Sequence, residues 1–223
     1  MAGAVPLAAI GARRWQRRPD DRPRVLMASA LKLLKRRGYR RVRLEDVAED
    51  AGVCKATVYH YFAGKDDLLT RSVAKRMAEK HADIERRLAC AGGTAADRLR
   101  LFLHEFWRVS LTSQAGLWQS LILSEIVTEA PDVFAAWARG LVRRWRLVET
   151  LIKDGQDSGE FRRGADAAVT ARMMVSALSH QALFHVHFGM RRFAPCDLDR
   201  LFESSMDQLL HGLRPSARLA TRR

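Results

Sequence analysis

The sequence predicts an all-α protein with two regions, an N-terminal three-helix helix-turn-helix unit followed by a helical bundle, with about nine helices in all. Three observations carry this. Apolar residues recur at three- and four-residue spacing over most of the chain, and no stretch alternates as a half-buried strand does. Two short amphipathic segments also meet at a single glycine, Gly52.

That junction lies in the stretch Arg43 to Lys65, RLEDVAEDAGVCKATVYHYFAGK. Val47, Ala48 and Ala51 share a face of the first segment, and Val58 and Phe62 fall four apart in the second. Gly52 suits the left-handed conformation that ends a helix, after which Val53 turns back into the core. The helix that follows, expected over residues 54–62, exposes Lys55, Thr57, Tyr59, His60 and Tyr61. Two helices joined so tightly form the arrangement that lays a recognition helix in a DNA major groove.

The first helix is expected from Arg22 to Arg37, with Leu26, Ala30, Leu33 and Leu34 as its buried stripe. Lys32, Lys35, Arg36 and Arg37 load its C-terminal end with charge that suits the helix dipole. They serve either phosphate neutralisation or solvation, and for Lys32 solvation is expected.

From about Leu26 to Leu69 the sequence resembles the DNA-binding domain of the TetR/AcrR family of bacterial transcription regulators. The resemblance runs through Arg37-Gly38-Tyr39, Asp46-Val47-Ala48, Ala51-Gly52-Val53, Lys55-Ala56-Thr57-Val58-Tyr59-His60-Tyr61-Phe62, Lys65 and Leu68-Leu69. It implies DNA contacts by Lys55, Ala56, Thr57, Tyr59, His60, Tyr61 and Lys65, with Thr57, Tyr61 and Lys65 on phosphates. Lys55, Tyr59 and His60 would meet base edges, where a lysine donates to guanine and an aromatic ring meets a thymine methyl. The alternative for Tyr59 is a partly buried core aromatic. The chain departs from the family pattern at two places. Val42 and Arg43 stand where a capping threonine or serine is usual, so the ordinary cap is lost, although Arg43 can still reach a phosphate. Cys54 replaces a serine. A thiol at a helix N-terminus beside Lys55 favours thiolate and suggests a redox switch, but with no cysteine nearby in sequence a plain replacement is the preferred reading.

Charge is uneven. The net charge is +14, and residues 1–65 hold fifteen Lys and Arg against six Asp and Glu, so the basic excess concentrates on the DNA end. A generally arginine-rich proteome accounts for some of the sum but not for this distribution. Residues 1–21, with Arg13-Arg14 and Arg17-Arg18, read as a basic disordered arm, either tracking phosphates or merely solvated. Three cysteines without close pairing fit a reducing compartment, and the resemblance implies a bacterial cytoplasm. The opening apolar run lacks a preceding basic segment and is not read as a signal peptide. No apolar run approaches about 20 residues, so no membrane span is expected.

Domain boundaries are expected at 1–21 (arm), 22–67 (DNA-binding), 68–214 (regulatory and dimerisation) and 215–223 (basic tail). A long helix from Asp66 to about Leu88 leads into the regulatory half and ends at Ala91-Gly92-Gly93. Thr94 with Asp97 reads as a capping box. Further helices are expected over 94–112, 116–129, from Pro131 to a break near Gly155–Gly159, over 165–188 and over 197–213.

The resemblance assigns the regulatory half a pair of tasks. One is a homodimer through the last two long helices, for which Met173, Ala177, Phe184, Phe202, Met206, Leu209 and Leu210 are available. The other is binding a small-molecule effector in an apolar cavity, for which Phe102, Phe106, Trp107, Trp118, Leu121, Ile122, Trp145, Met174 and Leu178 are candidates, with His104, Glu105 or His180 to orient the guest. Core packing is the competing reading for each aromatic. No metal or cofactor is expected, because His180, His185 and His187 do not share a helical face and no Glu-x-x-His occurs. No acid, base and nucleophile set stands at recognisable spacing, so no enzyme is expected. The function read from all this is a DNA-binding transcriptional regulator, a ligand-responsive repressor that binds double-stranded DNA at a near-palindromic operator. A helical-bundle carrier or enzyme with a vestigial head is the alternative, and sequence-blind chromosome coating a third.

Overall fold

The computed structural model describes residues 21–112, 118 and 121–215. The expected arm and tail lie almost wholly outside the described residues. Nine helices follow one another among those residues, and there is no strand. They are α1 (Arg22–Arg41), α2 (Leu44–Ala51), α3 (Lys55–Tyr61), α4 (Lys65–Cys90) and α5 (Ala95–Ser110). Then come α6, a π-helical turn Ile122–Ile126 running into Val127–Glu129, α7 (Pro131–Asp157), α8 (Ala167–Ala182, extended by a π turn Leu183–His187) and α9 (Leu198–Leu213). Among the described residues no helix is long and apolar enough to cross a membrane.

Local signals set most of the boundaries. Gly52 adopts φ 69°, and the Val53 N–H donates to the Ala48 carbonyl at 2.9 Å, closing α2. Thr94 and Asp97 exchange both bonds of a capping box. Pro131 occupies the first turn of α7. One boundary differs from expectation. Gly38 does stop the helix, at φ 77° and ψ 168°, but a further turn follows to Arg41 and swings Tyr39 inward to 9% exposure. α7 ends at Asp157, within the break expected near Gly155–Gly159, and runs through Gly155 to reach it. A Cβ on Gly155 would stand 2.1 Å from the Phe161 ring, so this glycine serves the close return of the chain and not a helix stop.

Two apolar cores result. The first joins Leu26, Ala30 and Leu34 of α1 to Val47, Val58, Phe62, Leu68 and Leu69, and runs on into Ile122, Ile126, Val133 and Ala136 of α6 and α7. The head therefore shares its core with the regulatory half. The second lies between α5, α7, α8 and α9 around Leu99, Leu103, Ile152, Val175 and Met206. Phe202 and Met206, expected at a dimer face, are 3% and 0% exposed and point into this core. Both faces of α9 carry apolar residues, so periodicity alone could not choose between them. Lys32, expected to be merely solvated, pairs with Asp50 at 2.5 Å and ties α1 to α2.

The backbone of Gly38 lies in a region that only glycine occupies without strain, and a Cβ there would meet the Glu125 carboxylate at 2.7 Å. Gly38→Ala is expected to destabilise the chain by about 1–3 kcal/mol, read as a lowered urea midpoint at unchanged slope.

Candidate DNA interface and its link to the regulatory half

Val58 and Phe62 anchor α3 at 0% and 1% exposure, which turns Lys55, Ala56, Tyr59 and His60 outward. Tyr59 is 50% exposed and so is not a core aromatic. Thr57, Tyr61 and Lys65 are half-buried beside them, and the rings of His60 and Tyr61 meet edge-on with centroids 4.8 Å apart. Together these side chains form one outward face of the head.

The free protein already holds two of its lysines. Lys55 pairs with Glu45 of α2 and lies 5.7 Å from the Tyr59 ring centroid. The hydrogen bond between them holds the Glu45 carboxyl below the usual carboxylate range and the Lys55 ammonium above its own. Contact with a base therefore requires Lys55 to exchange one anion for another. Lys65, at the start of α4, sits 3.9 Å over the Tyr39 ring, and the Tyr39 hydroxyl donates to Asp66 at 2.6 Å. Burial, then that bond, pushes the Tyr39 phenol above its ordinary range.

Arg43 occupies the N-cap position of α2 without a capping side-chain bond, in line with the missing serine or threonine. It lines a cleft of about 530 Å³ with Arg36, Arg37, Arg40, Arg41 and Asp46. Arg37 pairs with Asp46 at 2.7 Å and Arg40 with Glu129 at 2.5 Å. Among the described residues no carboxylate pairs with Arg36, Arg41 or Arg43. Unpaired guanidinium groups around a cleft match the oxygens of a phosphate backbone. Sequence reasoning singled out Arg43 but not Arg40 or Arg41, whose signal was the run Arg40-Arg41-Val42-Arg43 inside a generally basic segment.

Cys54 is exposed, with its sulfur 3.1 Å from the Thr57 hydroxyl. That hydroxyl first, and the Thr57 backbone second, lower the pKa of the thiol. The causes are the Thr57 hydroxyl and, as the sequence suggested, the backbone N–H groups at the start of α3, while the neighbouring lysine plays no part.

Residues 26–71 match the family described as bacterial regulatory proteins, tetR family. A transcriptional regulator of Mycolicibacterium smegmatis, EthR, is 22% identical over 130 residues, 56% of this chain and 56% of that protein, so the chain spans about half the length of that relative. The fatty acid metabolism regulator protein of Bacillus subtilis is 20% identical over 195 residues, 84% of this chain and 93% of that one. Among solved structures, FadR of Bacillus subtilis in complex with stearoyl-CoA superposes with a TM-score of 0.68 at 20% identity, over 86% of this chain and 99% of that one. The tetR-family match thus covers the head of the molecule, and the full-length likeness to solved structures is one of fold. The relatives it resembles are named as regulators.

The candidate effector residues do not gather in one place. Phe102, Trp107, Met174 and Leu178 are buried in the second core, with Phe106 and Trp145 packed against it. Leu121 and Ile122, with Trp118 against them, belong to the first core, under the head. The polar candidates are engaged outside that core. His104 meets the Phe202 ring edge-on at 5.5 Å, Glu105 pairs with Arg108 and Arg87, and His180 stacks on Phe184 at 4.2 Å. His187 contacts the Ser110 carbonyl and His185 the Cys196 sulfur, so the three histidines of α8 face three different partners.

What joins effector half to head was invisible in the sequence. The Glu125 carboxylate on α6 accepts from the backbone N–H groups of Tyr39 at 2.7 Å and Arg40 at 3.3 Å, and Glu129 holds the Arg40 side chain. These pairs lie more than eighty residues apart in the chain, and no local pattern announces them.

Base readers and phosphate anchors should separate in solution. Tyr59→Ala is expected to cost about 1–3 kcal/mol on a specific site and nothing on random DNA. Arg43→Ala should weaken both and lower the slope of log K against log salt by about one, measured by fluorescence anisotropy across a salt series.

Proposed function

We propose that the protein is a ligand-responsive repressor that binds a near-palindromic operator as a homodimer. The observation that carries this is the outward face of α3, where Lys55, Tyr59 and His60 stand exposed on a helix pinned by two fully buried side chains. A vestigial head would have no reason to keep reading groups aligned on a rigid support, and sequence-blind coating would need cations without aromatic neighbours.

A second copy of the chain fits the apolar stripe left on α8. Val169 and Met173 are 49% and 61% exposed, with exposed Ala177 one turn on, and Phe184 and Phe188 continue the stripe at 36% and 52%. An isologous pairing through this stripe places two recognition helices on half-sites about one DNA turn apart. The FadR complex with stearoyl-CoA supports an effector in the regulatory half. The coupling runs through α6, because Glu125 and Glu129 hold the last turn of α1. An effector that favours the arrangement with the two heads misaligned lowers operator affinity by its differential binding to that state.

A selection of genomic fragments by the purified protein at about 150 mM salt, where non-specific affinity is weakened, should enrich one inverted repeat. Retention of fragments without a shared motif would refute specific readout by Lys55, Tyr59 and His60. Sedimentation equilibrium should give a dimer that Met173→Glu converts to monomer with unchanged helical circular dichroism; a wild-type monomer at the same concentration would remove the α8 interface.

A further inference from the structure

Arg40 belongs to two sites. It lines the arginine cleft at the end of α1, and its guanidinium is also held by Glu129 of α6, with Nε at 2.6 Å and Nη2 at 2.5 Å from the same carboxylate oxygen. Those two nitrogens form an edge with which an arginine takes two oxygens of a phosphate. While Glu129 occupies that edge, the cleft lacks one of its cations.

The pair is open to exchange. The Arg40 side chain is 73% exposed and that of Glu129 25%, so the guanidinium is the outer partner and an anion arriving from solvent meets it first. Exposed ion pairs contribute little to stability, so the fold loses little when this one parts. Glu125, one turn earlier on α6, is no substitute for Glu129, because its carboxylate already accepts from the backbone N–H groups of Tyr39 and Arg40.

The cleft also adjoins the reading face of α3. Arg43 at its wall acts on the Glu45 carboxyl, which pairs with Lys55. Glu129 in turn lies within the field of Lys65, another candidate phosphate contact. A duplex seated on α3 therefore carries its backbone past the place where Arg40 and Glu129 meet, and there the carboxylate and the phosphate ask for the same donor.

We infer that Glu129 is an intramolecular rival of the DNA backbone: a phosphate entering the arginine cleft takes Arg40 from Glu129. An arrangement of α6 that keeps Glu129 on Arg40 withholds one phosphate anchor from each protomer. This rests on the reading of the protein as a DNA-binding regulator, and it names a contact through which the regulatory half controls the head.

The test follows the full-length protein on a labelled random-sequence duplex of about 30 base pairs by fluorescence anisotropy across a salt series, since phosphate contacts need no operator. Glu129→Gln is expected to tighten binding at least about threefold at about 150 mM salt. It should also steepen the slope of log K against log salt by about one for each protomer bound, as one more phosphate is engaged. In the Arg40→Gln background the same change should leave the slope where it is. Glu149→Gln is the control for charge alone: it removes an equal charge from a pair with Lys153 on α7, at the same 25% exposure, and should not steepen the slope. Weaker binding by Glu129→Gln, an unchanged slope, a steepening that Glu149→Gln reproduces, or one that persists without Arg40 would overturn the inference. An inverted repeat enriched in the genomic selection beside any of those results would leave the regulator intact and remove only the rivalry for Arg40. A natural chain that binds neither this duplex nor any genomic fragment would overturn both.

Discussion

One carboxylate holds the two halves of the molecule in register. Glu125 reaches from α6 to the backbone N–H groups of Tyr39 and Arg40, donors that the kink at Gly38 has left outside the helix ladder. The approach is open only because Gly38 lacks a Cβ at the point where the carboxylate lies. Much of the head follows from this contact. The last turn of α1 presents Tyr39 to Asp66 at the start of α4, the Tyr39 ring carries Lys65, and Arg40 is drawn to Glu129. A displacement of α6 would break both of these hydrogen bonds and draw Glu129 away from Arg40.

The basic character of the chain resolves into three populations. Some cations close the fold, as Lys32 does on Asp50 and Arg37 on Asp46. Others are left unneutralised around the arginine cleft of the head, where Arg36, Arg41 and Arg43 remain. A third set, around Lys80 and Arg144, is crowded between α4 and α7 at a cost in self-repulsion and desolvation. Exposed ion pairs of the first kind stabilise by little, so their value lies in geometry, whereas the cations of the second kind leave a positive potential over the head.

The two cores are spanned by one helix. Leu69 and Val73 at the start of α4 belong to the core under the head, and Leu88 near its end belongs to the core of the bundle. α4 and α7 also approach closely where Gly140 faces Met77. Closely packed interiors shift between discrete arrangements and do not deform smoothly, so α4 joins the two cores as one rigid element.

Nearly every helix, and the face of α3 that reads outward, were legible in the sequence, because periodicity, Gly52, the Thr94–Asp97 box and Pro131 act over one turn of chain. The extra turn after Gly38 was not, and neither was the packing of Gly155 against Phe161, since a glycine marks either a stop or a close approach and only the neighbour decides which. The same limit misplaced Phe202 and Met206, and it divided the effector candidates between two cores. The sequence by itself determined which segments are helical and which residue types the head presents. Tertiary structure alone decided which charges find partners: Glu125 with the α1 backbone, Lys55 with Glu45, and Lys80 and Arg144 with none. Pairing across long separations depends on how helices cross, and crossing is set by the packing of whole faces, not by spacing within any one of them.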